Sequence, residues 1–299
     1  MSATVLVDGN NIGNAHNSAN RLTSNGMQVQ AIFGMVRTMR NLLEKIPGSD
    51  PIVLWDGRAQ WRYDLFPEYK SNRKDENSSP ADQERRAAYR AQQPLIVEGI
   101  SYLGITQMTD KKGEADDLAG FLVRSASRPM VLMTADQDWL QLVNRTTVWY
   151  DPISDRKVSL KNFAEFTGFV DARSFLQAKA LQGDRSDCIP GTGKLGEKRV
   201  PQFLLDHNSV EQFLAKVDAG EHPLKYVYEK NLASPEGRAI FERNMKLMNL
   251  LDAPRPLNEN LQIIKRPLDR DGFYDFCCRF NFLSILNDFD RFIQPFERA

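Results

Sequence analysis

Nine carboxylates recur where apolar runs end or a helical pattern begins, in five short clusters: Asp8; Asp56; Glu114 with Asp116 and Asp117; Asp136 with Asp138; and Asp184 with Asp187. An oxygen-rich set of this kind, with no histidine or cysteine among it, suits hard divalent ions such as Mg²⁺ or Mn²⁺. Two such ions about 4 Å apart can activate a water and stabilise the leaving oxygen of a phosphodiester. Gathered carboxylates repel one another unless a cation joins them, so their convergence in a fold would itself call for metal.

The elements that must position these acids can be read from the runs before them. ATVLVD, PIVLWD and PMVLMTAD lead into Asp8, Asp56 and Asp136, and their apolar, β-branched character is that of strands buried in a parallel sheet. In open α/β sheets the carboxyl ends of the strands form the ligand crevice, which brings together acids distant in sequence. Strand-like runs at 5–7, 52–55, 130–133 and 148–150 alternate with helical periods at 29–43 and 117–123. That alternation predicts an α/β class with a largely parallel sheet. Residues 67–94, rich in Arg, Lys, Gln, Glu and Ala, offer little core face and predict an exposed helical excursion. Beyond about Phe163 helical patterns dominate, at 172–181, 198–205, 210–217, 237–250 and 272–282. The chain divides on this reading into residues 1–165 and 166–299, packed together.

Each acid also has a purely structural reading. Glu114, Asp116 and Asp117 complement a helix N-terminus, Asp136 and Asp138 suit a cap for the following helix, and Asp184 and Asp187 follow a C-cap turn at Gly183. Basic residues divide in the same way. Lys70 and Arg73, in EYKSNR, are spaced to share a helix face, with Tyr69 beside them and Arg62 upstream. They are either a solvated face or, leaning over the acids, cations for phosphate oxygens with Tyr69 free to stack on a base. In LQAKALQGDRSDCIPGTGKLGEKRVPQFL, Gly191, Gly193 and Gly196 occupy a tight loop leading into Lys198 and Arg199. Glycines let backbone amides approach a phosphate, and Lys179, Lys194, Lys198 and Arg199 supply the charge to position it. A helix-turn-helix can also be structural alone.

Over 299 residues the formal net charge is +0, which argues against a simple polycationic nucleic-acid binder but allows an acidic pocket beside basic strips. Cys188, Cys277 and Cys278 form no CxxC pattern. They indicate neither a disulfide framework nor a zinc site and fit a reducing cytoplasm. The opening MSATVLVDGNN has no basic leader, and no apolar stretch nears the ~20 residues needed to cross a bilayer. Secretion and membrane insertion are not expected.

From VLVDGNN through LTSNGMQVQAIFGMVRTMRNLL, WDGRAQWRYDLFPEYKSNRK, GEADDLAG, TADQDWLQLV and QGDRSDCIPGTGKLGEK, the chain resembles the 5′-nuclease, or flap-endonuclease, family. That family includes the N-terminal domains of bacterial DNA polymerase I and free-standing bacteriophage 5′-3′ exonucleases. The resemblance implies a PIN-like nuclease domain over 1–165, with a helical arch at about 67–94. It also implies a helical C-terminal domain over 166–299 with a helix-three-turn-helix that grips duplex DNA. By resemblance, Asp8, Asp56, Glu114 and Asp116 match the positions that hold one metal, and Asp136, Asp138, Asp184 and Asp187 those around the second. Lys70 and Arg73 match the cations that contact the scissile phosphodiester. The implied cofactors are two Mg²⁺, with Mn²⁺ as a substitute and K⁺ in the glycine loop. The implied activity is Mg-dependent 5′-3′ exonuclease or flap endonuclease hydrolysis of DNA at 5′ ends, nicks, flaps and single-/double-strand junctions, in replication or repair. RNA-DNA hybrids would be further substrates, and the enzyme a monomer in the cytoplasm of a bacterium or phage-infected host. Lys194 departs from the pattern, standing where the family loop usually carries glycine. Two other readings share some features: a PIN or NYN-type ribonuclease, and an inactive module that binds branched DNA.

Overall fold

The computed structural model describes residues 3–73 and 79–297. The predicted strands are present as β1 (Thr4–Asp8), β4 (Asp50–Trp55), β6 (Met130–Met133) and β7 (Thr147–Asp151). They share a seven-stranded sheet with β5 (Thr106–Asp110), β8 (Arg156–Val158) and β11 (Leu261–Ile264), in the order β11-β5-β4-β1-β6-β7-β8. The five central strands run parallel, and the edges β8 and β11 are antiparallel. Two hairpins stand apart: β2 (Thr23–Ser24) with β3 (Met27–Gln28), and β9 (Gly183–Asp184) with β10 (Ile189–Pro190).

Side chains alternate across the pleat, so each central strand feeds two layers. Val5, Val7, Val53 and Trp55 face α2 (Gln30–Lys45), which buries Ile32, Met35, Val36 and Met39 against them; α1 (Gly9–Asn17) adds Ile12. Leu6, Leu54 and Leu132 face the opposite layer, where α5 (Ala115–Arg124) contributes Leu118 and Ala119 and the 3₁₀ turn at Gln137–Leu142 contributes Trp139. The short α3 (Gln60–Leu65) leads into the Lys70 turn, and α4 (Pro80–Tyr102) follows. Past the sheet come α6 (Phe163–Thr167), α7 (Ala172–Gln182), α8 (Val200–His207), α9 (Val210–Asp218), α10 (Val227–Ala233) and α11 (Pro235–Met248). Leu181, Phe203, Phe213 and Phe241 form a separate core there.

Two expectations need correction. Residues 166–299 are not one packing unit. β11 pairs with β5, and α12 (Arg270–Arg279), α13 (Leu283–Leu286) and α14 (Phe289–Glu297) bury Phe273, Phe276, Ile285 and Phe292 in the α2 layer. Tyr274, on α12 beside these buried aromatics, is 46% exposed. Nor is 67–94 wholly an excursion, since α4 runs through Pro94 and carries Tyr89, Gln92, Ile96 and Ile100 into buried positions. Arch residues Lys74, Asp75, Glu76, Asn77 and Ser78 lie outside the described residues. No helix among the described residues is long and apolar enough to cross a membrane.

Candidate active site

Asp8-Gly9 stands at the end of β1 and Asp56-Gly57 directly after β4, and the glycines allow the close packing that aims the acids. A Cβ on Gly57 would meet the Asp110 carbonyl oxygen at 1.9 Å, and one on Gly9 would meet the Trp55 ring at 2.7 Å. Beyond the carboxyl ends of the strands opens one cleft. Asp8, Asp56, Glu114, Asp116, Asp136, Asp138, Asp184 and Asp187 line it together with Lys70 and Arg73. Eight of the nine expected acids thus converge, although β1 and the β9-β10 hairpin lie at opposite ends of the motif order.

Their supports are specific. Asp56 accepts from Asn10 Nδ2 at 2.7 Å and from the Ala115 backbone N–H at 2.9 Å. Asp8 accepts from the Asn11 N–H at 2.9 Å and the Thr134 hydroxyl at 3.0 Å. Trp139 Nε1 donates to Asp116 at 2.7 Å. Asp136 caps the 3₁₀ turn by accepting from the Asp138 N–H at 2.8 Å, and Asp184 accepts from the Ser186 hydroxyl at 2.7 Å. The structural and functional readings of these acids are therefore not exclusive, because one oxygen can be anchored while the side chain still faces the cleft.

Burial and mutual repulsion show in the titration of the group. Burial, then the Asp56 charge, pushes Asp8 up to about 7. Burial and the charges of Asp136 and Asp8 hold Asp116 well above the ordinary carboxylate range. Burial also raises Asp136, although Lys179 opposes it. Burial works the same way on Glu114, yet Lys70 and Arg62 outweigh it and the group is held low. Oxygen-only donors that are buried and incompletely neutralised fit divalent cations.

The protein's own cations are partly drawn into the cleft. Lys70 Nζ donates to Glu114 at 2.6 Å, and Arg73 Nη2 to Asp187 at 2.6 Å. These two do not share an α-helical face as their spacing suggested. Lys70 sits in a turn with φ of 54°, its N–H donating to the Asp187 carbonyl, and Ser71–Arg73 forms a 3₁₀ turn. Strained backbone of this kind persists where the surroundings over-determine it.

Four other assignments change. Asp117 is turned away from the cleft: it completes the capping box of α5 by accepting from the Glu114 N–H at 2.9 Å, and it grips Arg62 at 2.7 and 2.9 Å. Arg62 is 3% exposed and also bonds the Leu247 carbonyl, so it is an internal brace and not a nucleic-acid contact. Tyr69, likewise 3% exposed, spends its hydroxyl on Glu114 at 3.0 Å and cannot stack on a base. Lys179 pairs with Asp138 and lies 3.9 Å from Asp184, inside the acidic group and not on an outer phosphate track. Sequence reading gave no part to Asn10, Asn11, Asn14 and Ser186, which also line the cleft; the run of asparagines after Asp8-Gly9 was the available signal.

Next to the cleft, and sharing Asp184 and Ser186 with it, lies a second depression lined by Arg185, Lys194, Gly196, Lys198 and Arg199. Lys194, Gly196, Lys198 and Arg199 are exposed. Gly193 and Lys194 are both left-handed, with φ of 74° and 55°. Lys194 therefore adopts the conformation for which glycine is usual. Gly191 serves a different need, since its Cβ would meet the Gln182 carbonyl oxygen at 2.3 Å where the hairpin passes α7.

Comparison with known proteins agrees with this architecture. Residues 3–168 match the family described as 5′-3′ exonuclease, N-terminal resolvase-like domain. DNA polymerase I of Lactococcus lactis subsp. cremoris is 30% identical over 294 residues, 91% of this chain and 31% of the polymerase. DNA polymerase I of Streptococcus pneumoniae is 30% identical over 207 residues, 64% of this chain and 22% of the polymerase. The chain thus spans under a third of the length of these relatives. Among solved structures, the T5 5′-exonuclease with bound zinc superposes with a TM-score of 0.74 at 21% identity, covering 92% of this chain and 98% of that one. Flap endonuclease-1 from Methanococcus jannaschii does so with 0.61 at 16% identity, covering 99% and 93%. With the family match spanning more than half of its residues, the chain belongs to the 5′-3′ exonuclease family of nucleases.

Proposed function

We propose that this protein is a structure-dependent 5′-3′ exonuclease and flap endonuclease acting on DNA in replication or repair. The observation that carries the reading is the continuity of an eight-carboxylate cleft with an exposed basic depression across Asp184 and Ser186. One region suits metal-assisted phosphodiester hydrolysis, and the other suits phosphates of a duplex held without sequence reading. Asp8, Asp56, Glu114 and Asp116 would hold one Mg²⁺, and Asp136, Asp138, Asp184 and Asp187 a second, with Mn²⁺ able to substitute. When bound, the ions supply Lewis acidity and lower the pKa of water.

The chain's own groups do the rest. Arg62 and Tyr69 hold Glu114 in place from below. Lys70 and Arg73 sit at the cleft wall, where an entering phosphate can draw them from Glu114 and Asp187. Arg185, Lys194, Lys198 and Arg199 hold the duplex backbone, with K⁺ as a further ligand of the Gly193–Lys194 turn. Products carry 5′-phosphates, the protein acts as a monomer in the cytoplasm, and RNA-DNA hybrids are included among substrates.

The test is a panel of end-labelled flap, nicked, blunt-duplex, single-stranded and RNA-DNA hybrid substrates, with Mg²⁺ and with chelator. Cleavage near flap junctions that needs Mg²⁺ supports the proposal. Preferential cutting of single-stranded RNA would favour a PIN-type ribonuclease, and binding without cleavage in either Mg²⁺ or Mn²⁺ would leave an inactive branched-DNA module. Binding measured in Ca²⁺ should weaken with salt at a log-log slope of roughly −4, about −0.9 for each of the phosphate-contacting cations Arg185, Lys194, Lys198 and Arg199; a flat response removes the basic depression from the DNA path.

A further inference from the structure

Two of the chain's three histidines meet a buried carboxylate outside the cleft. His207 ends α8, His222 lies in the loop after α9, and Glu229 stands in the first turn of α10. One ligand atom from each falls within 4.8 Å of the others, and among the described residues no other group of three or more His, Cys, Asp or Glu side chains is so compact. We infer that His207, His222 and Glu229 form a binding site for one borderline transition-metal ion of the Zn²⁺ class, which clips the end of α8 to the start of α10.

The donors are oriented for this. Glu229 is 3% exposed, and its Oε2 accepts from the backbone N–H groups of Lys225 and Tyr226 at 2.8 and 2.9 Å. That anchoring leaves Oε1 directed at His222 Nε2, 3.2 Å away. Tetrahedral Zn²⁺ with ligands at 2.0–2.2 Å separates its donors by about 3.3 Å, so this pair already has the spacing. A metal ion would take the place of the proton that now bridges them.

The His222–Glu229 bond by itself would account for only two of the three groups. His207 brings a second imidazole, and among the described residues its ring makes no hydrogen bond. Its ring packs instead against Phe203 at 4.8 Å, Phe213 at 4.9 Å and His222 at 5.1 Å. The two phenylalanine rings border the group on one side, and both histidines remain partly exposed. Two imidazoles and one carboxylate select Zn²⁺, Co²⁺ or Ni²⁺ over Mg²⁺, the reverse of the all-oxygen cleft. The site also bears on the basic depression, because Tyr228, next to Glu229, lies 5.9 Å beneath the Arg199 guanidinium.

The experiment uses the full chain, stripped of metal and then held in excess Mg²⁺ so that the oxygen-lined cleft is occupied by a hard ion. Zn²⁺ is titrated against a chromophoric chelator, and Co²⁺ is followed by its visible absorption. We expect one Zn²⁺ equivalent that raises Tm, and Co²⁺ bands of a low-coordinate, nitrogen-ligated site. His207→Gln and His222→Gln should each weaken Zn²⁺ binding by at least roughly 10–100-fold, the range seen on losing even an outer-sphere partner, whereas Asp136→Asn should leave it unchanged. Binding that survives both histidine substitutions, or that vanishes with Asp136→Asn, overturns the site. Should a substituted chain fail to fold, the unaltered protein still decides: saturating Co²⁺ without nitrogen-ligated bands rejects the proposal.

Discussion

The carboxylate cleft and the His207–His222–Glu229 triplet both gather metal-ligating side chains, and they do so under opposite electrostatic conditions. In the cleft eight acids surround a shared space, and Lys70, Arg73 and Lys179 reach in among them. The triplet holds a single formal negative charge, and its three donor atoms fit within 4.8 Å. Mutual repulsion keeps a highly charged site open and makes its occupancy depend on hard, exchangeable cations, whereas nearly neutral donors can be preassembled tightly. The first arrangement suits chemistry on a phosphodiester, which must enter and leave. The second suits a fixed clip.

The sharpest way to separate the two centres is to remove one cleft ligand. Asp136→Asn should reduce cleavage by about 10³-fold or more, as expected when a metal ligand is lost, while DNA binding in Ca²⁺ is retained; an active variant would remove Asp136 from the catalytic set. Arg62→Ala acts on the support below the cleft, leaving Asp117 buried and unpaired at 3% exposure. It should cost about 3–5 kcal/mol in denaturant unfolding, and a loss under 1 kcal/mol would show that the brace is dispensable. Lys70→Ala should slow single-turnover cleavage by about 10²-fold and change DNA affinity much less. The opposite ratio would make Lys70 a docking residue. The smallest effect belongs to the basic loop. Lys194→Gly relieves a left-handed lysine and should raise stability by roughly 1 kcal/mol while weakening DNA binding. Unchanged binding would take Lys194 off the phosphate track.

Adjacent acids on α5 show how far sequence reading extends. Asp116 and Asp117 were equivalent in the EADD motif, yet helical geometry turns neighbours about 100° apart. One faces the cleft beside Trp139, and the other turns back to close the capping box and hold Arg62. Arg62 and Tyr69 were read as outward-facing because they neighbour Lys70, and only the packing against Glu114 and Leu247 makes them internal. The strand β5 and the edge strands β8 and β11 escaped notice for a related reason: TQMTD, RKV and LQII are short or polar, and their pairing is set by distant partners.

What the sequence determined by itself is the local logic: apolar runs that end on acids, Asp-Gly pairs at two strand ends, and a glycine loop followed by cations. Periodicity and turn chemistry act over a few residues, and so they can be read there. Only the tertiary structure decided which carboxylates share the cleft, that residues 261–297 return to the first layer, and that His207, His222 and Glu229 meet. Those outcomes depend on side-chain direction and on contacts between segments far apart in the chain, which become defined only when the layers pack.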